Sequence, residues 1–346
     1  MYVVNPLTDR RWDYLVAGHE QSSAFHQRGW LEALCRTYGY QPFAVTSSPE
    51  NEELTNGIVL CLVSSWLTGS RWVSLPFSDH CEPLLSGAAD WSAAVNWLRG
   101  ECDRCKMKYF ELRPASEMRD FRVNLNLNPS RSYCFHELDL RATPEEIFQG
   151  FHKDCIQRKI RRAEKEKLSH EAGISDQLVD EFYQLVLRTR KRQQLIPQPR
   201  AWFRNLVACL GDKVQIRVVR KNATPVAAML CLRHRSTVVY KYGCSNEEFH
   251  NLGGMPFLFW RLIEESKADG VEKIDLGRSD LDQQSLIIFK DRLGAVRKSL
   301  TYYRYPQVRE QKAATPTRSV GLRRLLDVLP GVVTSTAGRL LYRHVG

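Results

Sequence analysis

Long apolar runs are missing from this chain. No stretch comes near the roughly 18 uninterrupted apolar residues that a membrane-crossing helix needs, so no span is expected. The opening residues, MYVVNPLTDRRWDYL, have no basic segment leading into an apolar one, so no secretory leader is expected either. These two absences predict a cytoplasmic chain with reduced thiols. Its 10 cysteines then read as scattered free thiols. Metal-ligand spacing is scarce too. Cys102 and Cys105 form one such pair, and His80 with Cys81 would be needed to complete four ligands. No second pair of that spacing follows, and Cys102 and Cys105 close an apolar-striped helix, so no metal is expected. Acidic residues fall short of basic ones, 39 against 50, for a formal charge of +11. That excess attracts polyanions: nucleic acid, anionic lipid, or phosphorylated substrates and cofactors. It does not choose among them.

What is present suffices for a buried core. At 346 residues and 43% hydrophobic content, the chain is long enough for one large or two medium domains, and global disorder is excluded. Its patterning predicts two runs of similar element order. The first has helices over Thr8–Ala17 and Trp30–Tyr38, strands over Pro42–Ser47, Gly57–Ser65 and Arg71–Leu75, a helix over Asp90–Cys105 and a strand over Tyr109–Leu112. The second has a strand over Ser132–Leu140 and helices over Pro144–Phe151, Asp154–Lys167, Asp176–Arg192 and Arg200–Leu210. A three-strand meander follows over Val214–Val219, Val226–Arg233 and Thr237–Gly243. Gly253-Gly254 then opens a helix that Gly270 stops, and Lys273–Leu276 is a strand broken by Gly277. A short helix, Ser285–Arg292, and a closing strand, Leu300–Tyr305, complete it. The expectation is an α/β (α+β) chain with two tandem mixed-sheet domains, 1–130 and 131–306. The asparagine-rich segment Asn124–Arg131 is the connector.

Residues 307–346 form a third, basic segment. Leu322, Leu325, Leu326 and Leu329 share one helical face, with Arg323, Arg324 and Asp327 on the other. Such a tail packs on its own domain or on another subunit, or lies on an anionic membrane surface through 318–346.

Several constellations could carry chemistry. Lys290 supplies a cation of the kind that stabilises the oxyanion of acyl transfer. Lys153, Arg158, Lys159, Arg161, Arg162, Lys165 and Lys167 crowd one helix whose Ile156, Ile160 and Ala163 give it a buried stripe. Their charges face solvent or a cleft, where guanidinium groups grip phosphate. Gly253-Gly254, arriving from a strand and opening a helix, is an anion cradle or a packing turn. Asp79 and His80, in the irregular Pro76–Leu85 loop, are candidate proton acceptors. So is Asp275, with Tyr242 across the sheet, although Asp275 equally suits a loop cap. Cys81 beside His80 is a poor nucleophile, since chain neighbours rarely place a thiol against its base.

Three segments carry a resemblance. SSAFHQRGWLEAL (Ser22–Leu34), FHKDCIQRKIRRAEKEKL (Phe151–Leu168) and the run from Gly253 through IDLG to FKDRLGA resemble, in order and spacing, FemAB-like acyltransferases of the GNAT superfamily. The resemblance spans most of residues 20–305. It implies two GNAT-like units and direct acyl or aminoacyl transfer in a cleft between them, with Lys290 in the active site. It also implies that Arg158 and Arg161, beside Lys153, face a phosphorylated or lipid-linked saccharide. The acceptor it suggests is a cell-envelope or exopolysaccharide precursor, at the cytoplasmic side of a membrane. Gly253 and Gly254 fall where GNAT enzymes hold the pyrophosphate of coenzyme A, but the leading Arg or Gln of that loop is replaced by His250 or Asn251. The acyl donor is therefore left between acyl-coenzyme A and aminoacyl-tRNA, with no tightly bound cofactor. The alternatives are a catalytically degenerate scaffold for polysaccharide synthesis and a tRNA- or nucleic-acid-binding module. No RNA-binding signature or row of stacking aromatics stands out, and DNA is not expected as a partner.

Overall fold

The computed structural model describes residues 1–66, 68–116 and 125–306, together with 342 and 344. The expected amphipathic tail lies outside the described residues apart from Tyr342 and His344. The chain divides into two compact units. The first is built on Met1–Tyr133 and takes the chain back from Ser299; the second is built on Cys134–Lys298. Among the described residues no helix is long and apolar enough to cross a membrane.

The first unit runs β1 (Tyr2–Val4), α1 (Arg11–Gly18), α2 (Arg28–Tyr38), β2 (Gln41–Thr46), β3 (Ile58–Val63), β4 (Arg71–Val73), α3 (Ala88–Arg104) and β5 (Phe110–Leu112). β1 to β4 are joined by antiparallel pairing, whereas β4 and β5 are parallel, because α3 crosses between them. Trp91, Val95, Leu98 and Cys102 recur at helical spacing on α3 and bury against Ile58, Leu60 and Phe110. Asn56 ties the β2–β3 loop by accepting from Thr46 Oγ1 (3.1 Å) and Ser47 N–H (3.0 Å).

β6 (Asn128–Asp139) begins in the first unit and enters the second at Cys134, followed there by α4 (Pro144–Gly150), α5 (Arg158–Lys165) and β7 (Ser169–Gly173). The second unit continues with α6 (Asp176–Arg192), α7 (Arg200–Leu210), β8 (Val214–Lys221), β9 (Thr224–His234) and β10 (Thr237–Ser245). Then come α8 (Gly254–Ala268), β11 (Lys273–Ser279) and α9 (Gln284–Arg292). Its strand order is β6-β11-β10-β9-β8-β7, and the pairing is antiparallel throughout except between β10 and β11, where α8 crosses over. α6 starts where Ser175 Oγ accepts from Leu178 N–H, and it buries Phe182, Leu185 and Val186. α8 is apolar on most sides, and Leu258, Phe259, Leu262 and Ile263 pack with Ile160 of α5, Met229 and Ile274. Finally β12 (Val296–Tyr305) leads back to the first unit and pairs antiparallel with β5, Tyr303 opposite Leu112.

Three local expectations change. The basic segment is a π turn over Lys153–Gln157 before it becomes α5, since His152 caps it by accepting from Cys155 N–H. β7 was not expected; its sequence, SHEAG, has no β-branched residue, and it is ordered by pairing with β8. Gly277 does not end β11: it takes φ +69° inside the strand, which continues to Ser279.

Gly253 precedes α8 with φ +81°, and a Cβ there would stand 2.3 Å from the carbonyl oxygen of Lys159 on α5. The glycine is thus required by backbone packing as well as by conformation. Gly253→Ala is expected to cost on the order of 2–4 kcal/mol. A urea melt of the variant that superimposes on the parent curve would show that the contact is dispensable.

Candidate active site

The site is built where β10 and β11 part. They pair in parallel at Thr237–Lys273, Val238–Ile274 and Val239–Asp275, and no further. β10 shifts register against β9 between Tyr240 and Tyr242, and β11 does so against β6 between Asp275 and Arg278. Both strands then run on without pairing each other, which leaves a slot walled by two backbone edges. The cause is local. The carboxylate of Asp275 accepts the Gly277 N–H at 2.7 Å, and Gly277 turns the chain with its positive φ. On the facing strand, a Cβ at Gly243 would lie 1.7 Å from the Tyr240 hydroxyl, so only glycine admits that ring. Tyr240 is pushed well above the ordinary tyrosine range, first by burial.

Lys290 reaches this end of β11 from α9. Only 2% of the residue is exposed. Its ammonium donates to Gly277 O (2.9 Å), Ser279 Oγ (2.9 Å) and Arg278 O (3.3 Å). Three protons meet three oxygens, the arrangement a buried charge needs. The FKDRLGA run explains how the lysine is held. Gly294 is left-handed (φ +73°), its N–H donates to Asp291 O (2.8 Å), and Ala295 N–H reaches Lys290 O (3.4 Å). This is the two-bond helix stop that a glycine at this position allows.

Beside Lys290 lies a cluster the sequence did not signal. Nε2 of fully buried His136, on β6, is 3.1 Å from Asp291 Oδ1. Arg297 holds the same carboxylate through Nε (2.6 Å) and Nη2. Cys134 Sγ lies 3.8 Å from His136 Nδ1. Burial lowers His136 below the ordinary imidazole range, Asp291 opposes that shift, and Lys290 and Arg297 reinforce it.

The other candidates fall in distinct places. Tyr242 accepts from Trp202 Nε1 at 2.9 Å and meets Phe203 edge-on. Gly253 sits against α5, so the glycine loop and the basic helix come together, as the 2.3 Å approach to Lys159 shows, whereas Gly254 sits against Ala227 and Val226 of β9. Lys159 and Arg192 both act on His250 of that loop. They help burial to lower its pKa, and Ser245 Oγ lies 2.8 Å from His250 Nε2. Lys153, Arg158 and Arg161 are exposed; Arg158 pairs with Asp154 (3.6 Å) and Arg161 stands 5.7 Å from the Phe148 ring centre.

Asp79 and His80 belong to the first unit. There β4 and β5 are parallel at Trp72–Phe110 and Val73–Glu111, as β10 and β11 are in the second unit. The place where they would part is filled by the Pro76–Leu85 segment: Cys81 N–H donates to Arg113 O (2.6 Å), and the Glu82 carboxylate accepts from Ala115 N–H (2.6 Å) and Ser116 N–H (2.9 Å). Asp79 O accepts from Tyr302 (2.6 Å), and His80 packs edge-on against Phe25. Cys81 does contact a histidine, but it is His26 (Sγ to Nε2 3.4 Å), and burial pushes the thiol up to about 12. Among the described residues no group of three or more His, Cys, Asp or Glu is placed to hold a metal ion.

Residues 152–285 match the family model described as an acetyltransferase (GNAT) domain. No curated protein matches the sequence. Among solved structures the chain is similar to FemX, at 13% identity and TM-score 0.70, over 88% of this chain and 97% of that one. It is also similar to L-PGS from Bacillus licheniformis (13%, TM-score 0.58, 98% and 99% covered). A tandem GNAT protein from the clavulanic acid biosynthesis pathway matches as well (14%, TM-score 0.52, 86% and 95% covered). At these identities the structural likeness is one of fold. The family model thus gives residues 152–285 as a GNAT acetyltransferase domain, and the solved structures share the fold.

The histidines of the second unit give a pH prediction. His170 and His234 are lowered to about 4, in both cases first by burial, and His136 is lowered as well. The folded chain keeps them neutral, while the unfolded chain takes up protons near the usual value of about 6.5. The stabilisation is therefore complete above that pH and is lost as pH falls toward 4. Urea midpoints should drop steadily from about pH 7 to about pH 5. A flat profile across that window would contradict the assignment.

Proposed function

We propose that this chain, which carries a GNAT acetyltransferase domain over residues 152–285, transfers an acyl or aminoacyl group directly to a phosphorylated or lipid-linked saccharide precursor of the cell envelope or an exopolysaccharide. The observation that carries the reading is the parting of β10 and β11 with the buried Lys290 ammonium at its end. An extended donor entering between the parted strands would have its carbonyl held beside that charge. Attack by an amine or hydroxyl puts negative charge on the carbonyl oxygen. A positive charge already fixed at that end, and shielded from water, stabilises the oxyanion with no reorganisation. Asp275 shapes the slot by binding the Gly277 N–H, and Tyr242 is assigned to carry the proton: its phenol donates to the leaving group and is restored by the proton that the attacking amine or hydroxyl loses.

The donor, acyl-coenzyme A or aminoacyl-tRNA, carries phosphate in either case. Its phosphates are assigned to the start of α8 at Gly253 and Gly254, beside Lys159, His250 and Arg192. The exposed face of the basic segment, with Lys153, Arg158 and Arg161, is assigned to the phosphorylated acceptor. L-PGS and FemX share the fold and make an envelope precursor a natural class of acceptor. Asp79 and His80, within the closed loop of the first unit, take no part in this scheme.

Two measurements test it. A thermal-shift screen should give a rise in melting temperature with acetyl-coenzyme A or with aminoacyl-tRNA, and the one that shifts identifies the donor. Lys290→Met should then lower kcat by about 100-fold or more, with KM changed far less. Full turnover in that variant would remove Lys290 from the chemistry and the reading with it.

A further inference from the structure

The cluster around Asp291 lies outside every expectation drawn from the motifs. Lys290 and Asp291 are chain neighbours on α9, and their side chains are held by different strands. Lys290 goes to the end of β11. Asp291 goes to His136 on β6 and to Arg297 at the start of β12. Two donors on one carboxylate, from two separate elements, fix the last turn of α9. A side chain that must place a charge within a fraction of an ångström depends on the backbone that carries it.

We propose that His136, Asp291 and Arg297 form a positioning clamp for Lys290, with Asp291 as the shared acceptor. The clamp works with a neutral imidazole. Nε2–H donates to Asp291, and the Cys134 thiol lies 3.8 Å from Nδ1 and 4.0 Å from Nε2. The charged and titratable groups around His136 are Lys290 and Asp291 of α9, Arg297 of β12 and Cys134 of its own strand, with Ser279 across the pairing from Cys134. A neutral His136 avoids a third cation beside Lys290 and Arg297, in keeping with its lowered pKa. Arg297 has a half-exposed side chain, so its bond to Asp291 can be removed without opening the core.

The clamp is a statement about geometry, and its value for catalysis rests on the role proposed for Lys290. The experiment separates the two. A buried ammonium with three acceptors exchanges its protons slowly, so ¹⁵N-lysine spectra of the full chain should show a protected Lys290 Nζ signal, identified by its loss in Lys290→Arg. Asp291→Asn and Arg297→Gln should each speed that exchange at least tenfold while far-UV circular dichroism and melting stay near the parent. His136→Ala should do the same, and His136→Gln, which keeps a donor at similar reach, should restore protection. An unchanged signal in both Asp291→Asn and Arg297→Gln would overturn the clamp. Should the Asp291 variant fail to fold, the surface Arg297 variant still decides. The spectra need no substrate, so a Lys290 variant with normal turnover would sink the catalytic reading and leave the clamp to stand or fall on its own.

Discussion

Everything in the second unit turns on keeping two neighbouring strands apart. β10 and β11 are parallel and close enough to pair, and they do so for three positions. Left alone they would go on pairing, since unpaired backbone groups in a covered sheet are costly. Two contacts stop them. The Asp275 carboxylate takes an N–H that a neighbouring strand could have used, and the Lys290 ammonium takes two carbonyls at the same end. Each contact answers a need of its own: a buried cation requires acceptors, and a displaced backbone requires donors. The gap is maintained because closing it would strand the lysine.

The first unit shows the alternative. Its parallel pair, β4 and β5, begins in the same way, yet the following chain folds back and Cys81 bonds to Arg113 where an opening would lie. Two units with one element order have thus resolved the same backbone problem differently, one with a side-chain cation and one with its own chain. The basic segment also has two roles. Its backbone forms the wall that demands glycine at position 253, while its cations face outward. A solvated face and a packed face coexist on it because the apolar stripe of Ile156, Ile160 and Ala163 is narrow.

How much of this could be read beforehand depends on how local the cause is. The helices Asp176–Arg192 and Arg200–Leu210 follow from caps and 3.6-residue periodicity, and both lie where the pattern placed them. The glycine loop, the basic segment and Lys290 stand out in the sequence because they are short motifs in a fixed order. β7 was not, for its residues have no strand preference and its order comes from β8. Gly277 was read as a strand end because a positive φ inside a strand depends on the Asp275 side chain two residues before it. His136 and Asp291 are 155 positions apart, and no composition or spacing relates them. The parting of the strands was equally silent, since pairing is a property of two segments together.

One feature of the connectivity bears on how the molecule is made. β12, which closes the first sheet against β5 and contributes Tyr303 to the core beneath α3, is translated after the whole second unit. Ordinarily an N-terminal module can finish folding while the ribosome is still at work downstream. Here that early module must wait with β5 uncovered on one side until the chain returns, so its sheet is completed only after the second unit has been translated.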